Sequence, residues 1–288
     1  MKIFSINNSI LNFPKKLIPI LTAVSFSVPL KCGNSTIKNL DRVSNTIVSV
    51  VNKPNLKDLE GLKIIKSVNF KGGVSYQFDS KSVEILKGRI KKPDKLITYT
   101  APIENANNVY LEPFGMYFAD RPNENTNKMR PHLGLDIFVS KFSRKPEKPV
   151  IVKSPLDGVV ISHKRARKED NVISNSIIML GVDGRKYAFD HLARSTDYND
   201  SIPLPVVGTI LKKGDKIGYV GSTGETTMWH LHLIVMTEEQ LAKQQKSKFW
   251  QRLSKSSGYC KLTGQVNPLD EKSAGPIAKI LNKYRINK

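Results

Sequence analysis

From about residue 108 onward the chain is a rapid succession of short apolar segments, each cut off by a turn. Residues 135–139, 150–152, 158–162, 176–180, 186–189, 209–211, 217–220 and 231–236 are rich in β-branched and aromatic side chains. Glycine turns fall at 156–158 (Leu-Asp-Gly), 182–184 (Val-Asp-Gly), 213–215 (Lys-Gly-Asp) and 222–224 (Ser-Thr-Gly). Segments this short cannot close the three turns of a typical helix, but they suit strands. Close spacing of many such strands predicts a mainly β fold, an antiparallel β-sandwich or barrel-like core.

The flanking regions read differently. Residues 62–100 alternate apolar and polar positions at 67–70, 74–78 and 96–99, broken by Gly72-Gly73 and Pro93, and predict a small β region. Thr237-Glu238-Glu239-Gln240 is a capping-box pattern, and a helix is expected to run from there to about Leu253. Ile277, Ile280, Leu281 and Tyr284 share one helical face, predicting a second short helix. The N-terminus carries Lys2, Lys15 and Lys16 before an apolar run at residues 17–30. That is the order of a secretory signal, and Ser25 and Ser27 offer small residues for cleavage. The run contains Pro19 and Pro29 and falls short of the ~20 residues of a membrane span. A buried strand is the competing reading, and lipidation at Cys32 is another, with Lys31 beside it a poor match.

A net charge of +21 concentrates the chain near polyanions such as nucleic acid, acidic membrane or an anionic cell wall. The basic residues are not interleaved with aromatics as in a base-stacking platform, so specific nucleic-acid binding is not expected. Cys32 and Cys260 are the only cysteines and form no Cys-x-x-Cys pair, so neither a thiolate metal site nor a redox motif is indicated.

The five histidines carry the chemistry. His230 and His232 open a strand-like run, and side chains two apart on a strand share a face. His132 and Asp136 stand in a segment whose Gly134 and following Ile137-Phe138-Val139 disfavour a helix. On a straight strand their Cα atoms would lie about 13 Å apart, so a shared ion demands a bend near Gly134. Two imidazoles and one carboxylate are a donor set suited to catalytic zinc, which takes three protein ligands and leaves a fourth position open.

His132-Leu-Gly-Leu-Asp136, His191-Leu192 and His230-Leu231-His232 together resemble the lysostaphin/LytM-type zinc endopeptidases. The likeness continues through residues 150–160, 208–232 and 266–269, covering roughly 108–270. It implies one zinc held by His132, Asp136 and His232, with His191 and His230 as catalytic histidines. It further implies hydrolysis of peptide bonds in peptidoglycan by a metal-activated water. His230 is assigned proton transfer and His191 oxyanion stabilisation, although the sequence does not separate the two roles. His163, beside Lys164, Arg165, Arg167 and Lys168, has no counterpart and is expected to be a solvated loop residue. Three departures stand out: Phe189-Asp190 before His191, Tyr117 where an arginine is expected after Phe114-Gly115, and an insertion at 237–263.

The resulting organisation is a signal peptide or N-terminal anchor at 1–32 and a linker with small β pre-domain at 33–107. The peptidase domain spans 108–270, and a basic C-terminal helix and tail fill 271–288. The expected location is the periplasm or cell envelope, with peptidoglycan as partner and N-terminal membrane association as an alternative to release. Two competing functions remain on this scaffold: a non-catalytic LytM-like regulator or binder of cell-wall hydrolases, and a zinc endopeptidase acting on proteins.

Overall fold

The computed structural model describes residues 10–11, 56–68, 74–93, 96–104, 109–123, 128–140, 144–165, 173–199, 203–257 and 263–286. The signal-like run at 17–30 with Ser25 and Ser27, the basic residues Lys2, Lys15 and Lys16, Cys32, residues 33–55, Gly72-Gly73, Arg167-Lys168 and Cys260 lie outside them. No helix among the described residues is long and apolar enough to cross a membrane.

In chain order the strands are β1 (Ile10–Leu11), β2 (Ile64–Val68), β3 (Val74–Phe78), β4 (Tyr110–Leu111), β5 (Asp120–Asn123), β6 (Lys128–Pro131), β7 (Leu135–Phe138) and β8 (Ile151–Lys153). They continue as β9 (Gly158–Arg165), β10 (Asn175–Gly181), β11 (Lys186–Leu192), β12 (Ile210–Leu211), β13 (Lys216–Tyr219), β14 (His230–Met236), β15 (Gln265–Val266) and β16 (Arg285–Ile286). Most join one large sheet in the order β1-β2-β3-β9-β10-β11-β14-β7-β4-β16, with β12 on β9 and β15 on β14. Its pairings are antiparallel except the last, β4–β16. The path stays open rather than closing into a barrel, and β8–β13 and β5–β6 form separate two-stranded ribbons.

Strand alternation divides the sheet into two faces. Leu135 and Ile137 of β7, Leu231, Leu233 and Val235 of β14, and Tyr187 and Phe189 of β11 point into the main core. That core is closed by Val152, Ile217 and Val220 and by two C-terminal helices, α4 (Glu271–Ala274) and α5 (Ile277–Leu281). On the opposite face, Val159, Ile161 and Leu180 receive Val83, Leu86 and Ile90 of α1 (Ser80–Ile90). Asp136, His230 and His232 take the positions between the core residues, so they belong to that second face.

Helix α1 departs from the β region expected at 62–100. Asp79 caps it by accepting the Ser82 amide at 2.7 Å. Its apolar residues recur at helical spacing, which outweighs the strand-like composition of its neighbours. Residues 96–99 form no strand; Thr100 N–H bonds the Pro155 carbonyl instead. The β2–β3 hairpin continues the main sheet by pairing with β9. The helix expected from 237 is split into α2 (Glu238–Lys246), capped by Thr237, and α3 (Lys248–Ser257), with an extended Ser247 between them.

His163 is not a solvated loop residue. It lies on β9 opposite Tyr76 of β3 and is only 3% exposed. The reason is β3: by covering the outer edge of β9 it keeps that strand ordered as far as Arg165. Arg165 Nε donates to His163 Nε2 at 2.9 Å. Burial, helped by the Arg165 charge, pushes the His163 pKa down to about 4. The unfolded chain takes up this proton near pH 6.5 while the fold resists it, so stability should fall as pH drops from 6.5 towards 4. The shift corresponds to about 3 kcal/mol at its limit. Urea unfolding of the wild type and His163→Gln between pH 7 and pH 4.5 should give a visibly shallower pH slope in the variant. Equal slopes would contradict the assignment.

Candidate functional site

The antiparallel register of β7 and β14 sets His232 directly opposite Asp136. His230, two residues away, shares that face. His132 reaches the same place through the bend expected at Gly134. The chain leaves β6 at Pro131, turns at Gly134 and re-enters as β7. A side chain at Gly134 would stand 2.6 Å from His232 Nε2 and 3.0 Å from the Leu233 carbonyl, so glycine is what lets the turn pass beside that ring. His132 Nε2 thereby comes to 3.2 Å from Asp136 Oδ1 and 2.9 Å from His232 Nδ1, while His232 Nδ1 lies 2.7 Å from Asp136 Oδ1.

His191 arrives by a different device. Strand parity would send it into the core behind Tyr187 and Phe189. Its backbone is left-handed instead, with φ of 62°, costing on the order of 1–3 kcal/mol. The ring then lies 4.7 Å from His230 and 5.8 Å from His232, centroid to centroid. Hydrogen bonds hold this conformation: the His191 amide donates to Ser174 Oγ at 2.8 Å, and its Nδ1 sits 2.7 Å from the Thr223 carbonyl. Thr223 is fully buried. Its hydroxyl donates to the Leu192 carbonyl and accepts the Asn175 amide. The Ser222-Thr223-Gly224 turn therefore anchors His191.

Nδ1 of His132, His191 and His230 each faces a backbone carbonyl, that of Met116, Thr223 and Met228 respectively. A carbonyl only accepts, so each Nδ1 carries the proton and each neutral ring keeps its Nε2 lone pair. For Asp136, burial alone would raise the pKa. The surrounding imidazoles, His230 foremost and then His132 and His232, favour the carboxylate, outweigh burial and hold the carboxyl well below the usual range. Burial lowers His132, against an opposing pull from Asp136. Burial, followed by the neighbouring His230 and His232, lowers His191 to about 4. His132 and His191 are therefore neutral near pH 7.

Asp136 divides its two oxygens. Oδ1 faces the imidazoles; Oδ2 pairs with Arg121 Nη2 at 2.5 Å. Arg121 is itself steadied by the Phe114 carbonyl. It was missed in the sequence because Tyr117 occupies the expected arginine position, while Tyr117 reaches away to the Gln265 carbonyl. The available signal was an arginine four residues beyond the expected position, Arg121.

Among the described residues, His132, Asp136 and His232 form a group able to hold a metal, their donor atoms within 4.8 Å of one another. Tetrahedral zinc with bonds of about 2.0–2.1 Å separates its ligand atoms by roughly 3.3 Å. The observed separations of 2.7–3.2 Å are close to that figure, and the donor set is one zinc accepts. Only His232 keeps appreciable exposure, 14% of its side chain, so the centre opens to solvent on that side.

Comparison with known proteins agrees with the motifs. Residues 130–244 match the sequence profile of peptidase family M23. Among solved structures, the catalytic domain of the antimicrobial peptidase lysostaphin from Staphylococcus simulans is similar. It shows 27% identity and a TM-score of 0.33, over 48% of this chain and 86% of that one. A zinc-containing peptidase from Vibrio cholerae shows 22% identity and a TM-score of 0.34 over 60% of this chain. The match spans 43% of the Vibrio chain. No curated protein matches the sequence.

Proposed function

Because residues 130–244 of this chain form a peptidase family M23 domain, we propose that the protein is an exported zinc-dependent endopeptidase that cuts peptide bonds in peptidoglycan stems or cross-links. The observation that carries the reading is the convergence of His132 Nε2, Asp136 Oδ1 and His232 Nδ1 beside two further imidazoles. Zinc held there would supply Lewis acidity, polarising a peptide carbonyl and acidifying water.

The chain supplies the remaining chemistry. Arg121 neutralises Oδ2 of Asp136 and leaves Oδ1 for the centre. His191 and His230 each turn Nδ1 to a backbone carbonyl, so that the neutral ring carries its lone pair on Nε2 beside His232 and Asp136. Either can accept a proton there from the attacking water. The imidazolium so formed donates a hydrogen bond to the developing oxyanion and then delivers its proton to the leaving amine. Burial keeps His191 neutral at rest and equally makes it a weak base, so the shift by itself does not divide the two roles.

The basic apolar N-terminus supports export, and the charge of +21 supports association with an anionic envelope. The test is incubation of purified peptidoglycan with the full protein, with and without chelator, and identification of new amino termini by mass spectrometry. The expected result is release of new ends that chelator stops and added zinc restores. Intact peptidoglycan alongside cleaved casein would identify a protein peptidase. Cleavage of neither by zinc-loaded protein would identify a non-catalytic relative.

A further inference from the structure

Asp190 stands directly before His191 and has no task in the reaction so far. Its place is set by strand register: Asp190 of β11 lies opposite His232 of β14, and His232 lies opposite Asp136 of β7. Residues directly opposite across antiparallel strands share a face. Asp190 therefore flanks His232 on the side away from Asp136. The row continues outward. The Ser176 hydroxyl of β10 donates to Asp190 Oδ1. Lys164 of β9 lies opposite Ser176, and Ser75 of β3 lies opposite Lys164. With strands about 4.8 Å apart, this polar row covers roughly 24 Å of one face, starting at the metal-ligand group. Ser75, Lys164, Ser176 and Asp190 are all half-buried, so the row is a floor open to solvent and not part of a core.

Asp190 and Asp136 differ in what they have left to offer. Asp136 divides its oxygens between the imidazoles and Arg121. Asp190 has Oδ1 held by Ser176, while Oδ2 takes no partner among the described residues. A hydroxyl fixes a carboxylate without neutralising it. In a chain of net charge +21, an unneutralised anion thus stands beside His232, the ligand through which the centre opens to solvent. Its field is felt inside the site: burial and then the neighbouring imidazoles lower His191, and Asp190 opposes them. We propose that Asp190 is a specificity-determining residue that binds a primary ammonium carried by the substrate within two residues of the scissile bond. A carboxylate only accepts hydrogen bonds, and a charged donor gives it the stronger, charge-assisted kind. The spacing of about 4.8 Å from His232 to Asp190 lies between the rise of one and of two extended residues, about 3.4 and 6.8 Å, which sets that reach. The proposal rests on the peptidoglycan reading and adds a substrate class to it: stem peptides whose amine is free, in preference to those in which a cross-link has acylated it.

The test compares two stem peptides with the same scissile bond, one with its side-chain amine free and one with that amine acetylated. With the zinc-loaded full-length protein, kcat/KM should favour the free amine by about tenfold or more, the scale of one hydrogen bond to a charged group. Asp190→Asn keeps the shape and can still accept from Ser176, and it should bring that ratio close to one. Asp190→Glu keeps the charge and should restore most of the preference. Zinc content and melting curves should match the wild type in both variants. Calorimetry with a short stem peptide lacking the scissile bond, amine free or acetylated, reads the same preference without turnover. Equal rates on the two peptides in the wild type would overturn the subsite and leave the peptidase reading standing. So would a loss in Asp190→Asn that falls equally on both peptides with a displaced pH profile, the mark of a carboxylate acting only through His191. Loss of zinc in Asp190→Asn would make Asp190 a ligand and also overturn the subsite. Asp190-dependent binding of the free amine with cleavage of neither peptide would sink the peptidase reading and leave the subsite standing. Neither binding nor cleavage would overturn both.

Discussion

Asp136→Asn should abolish peptidase activity while leaving the protein folded. The carboxylate is fully buried, and it is the one group that contacts His132, His230 and His232 while pairing with Arg121. The amide keeps the shape but loses the charge on both oxygens. Loss of an outer-shell partner of a metal typically costs about 10–100-fold, so loss of a direct anionic ligand should exceed that. Asp136→Ala should add a stability cost of about 3 kcal/mol, at the low end for a broken buried ion pair. The low end applies because the Arg121 side chain keeps 24% exposure and can reach water. Metal analysis, peptide hydrolysis and urea midpoints for the two variants separate the effects. Full activity in Asp136→Asn would contradict the ligand assignment.

His191→Ala and His230→Ala should behave differently from ligand variants. Neither ring belongs to the three-residue donor group, so metal content should stay near that of wild type. Loss of a positioned acid–base group should lower kcat by about 10²–10⁴-fold with a smaller change in KM. The double variant should fall little below the worse single one if both rings handle one proton in turn. A loss confined to KM would make them binding residues.

Much of the β fold was legible from short segments rich in β-branched and aromatic residues and from the glycine turns between them, because segments of that length suit strands and not helices. The bend at Gly134 was legible for a geometric reason: His132 and Asp136 cannot meet without it. Helix α1 was hidden because Val83, Leu86 and Ile90 follow a hairpin of similar apolar content. His163 read as surface because the covering strand β3 lies some ninety residues away in sequence, and tertiary pairing leaves no local mark. Arg121 was hidden because it stands four residues past the expected position, on β5 beyond an irregular segment, and spacing fixes a partner only where the chain between is regular. The left-handed turn at His191 was equally invisible, because it is imposed by Ser174 and Thr223 from two other segments.

The most direct measurement is the zinc content of the full-length protein after dialysis against a weak chelator, set beside that of His232→Ala. One zinc per chain in the wild type, and substantially less than one in the variant, is the predicted outcome. Equal metal in both proteins, or none in a folded wild type supplied with zinc, would contradict a metal centre built by β7, β14 and the Gly134 bend.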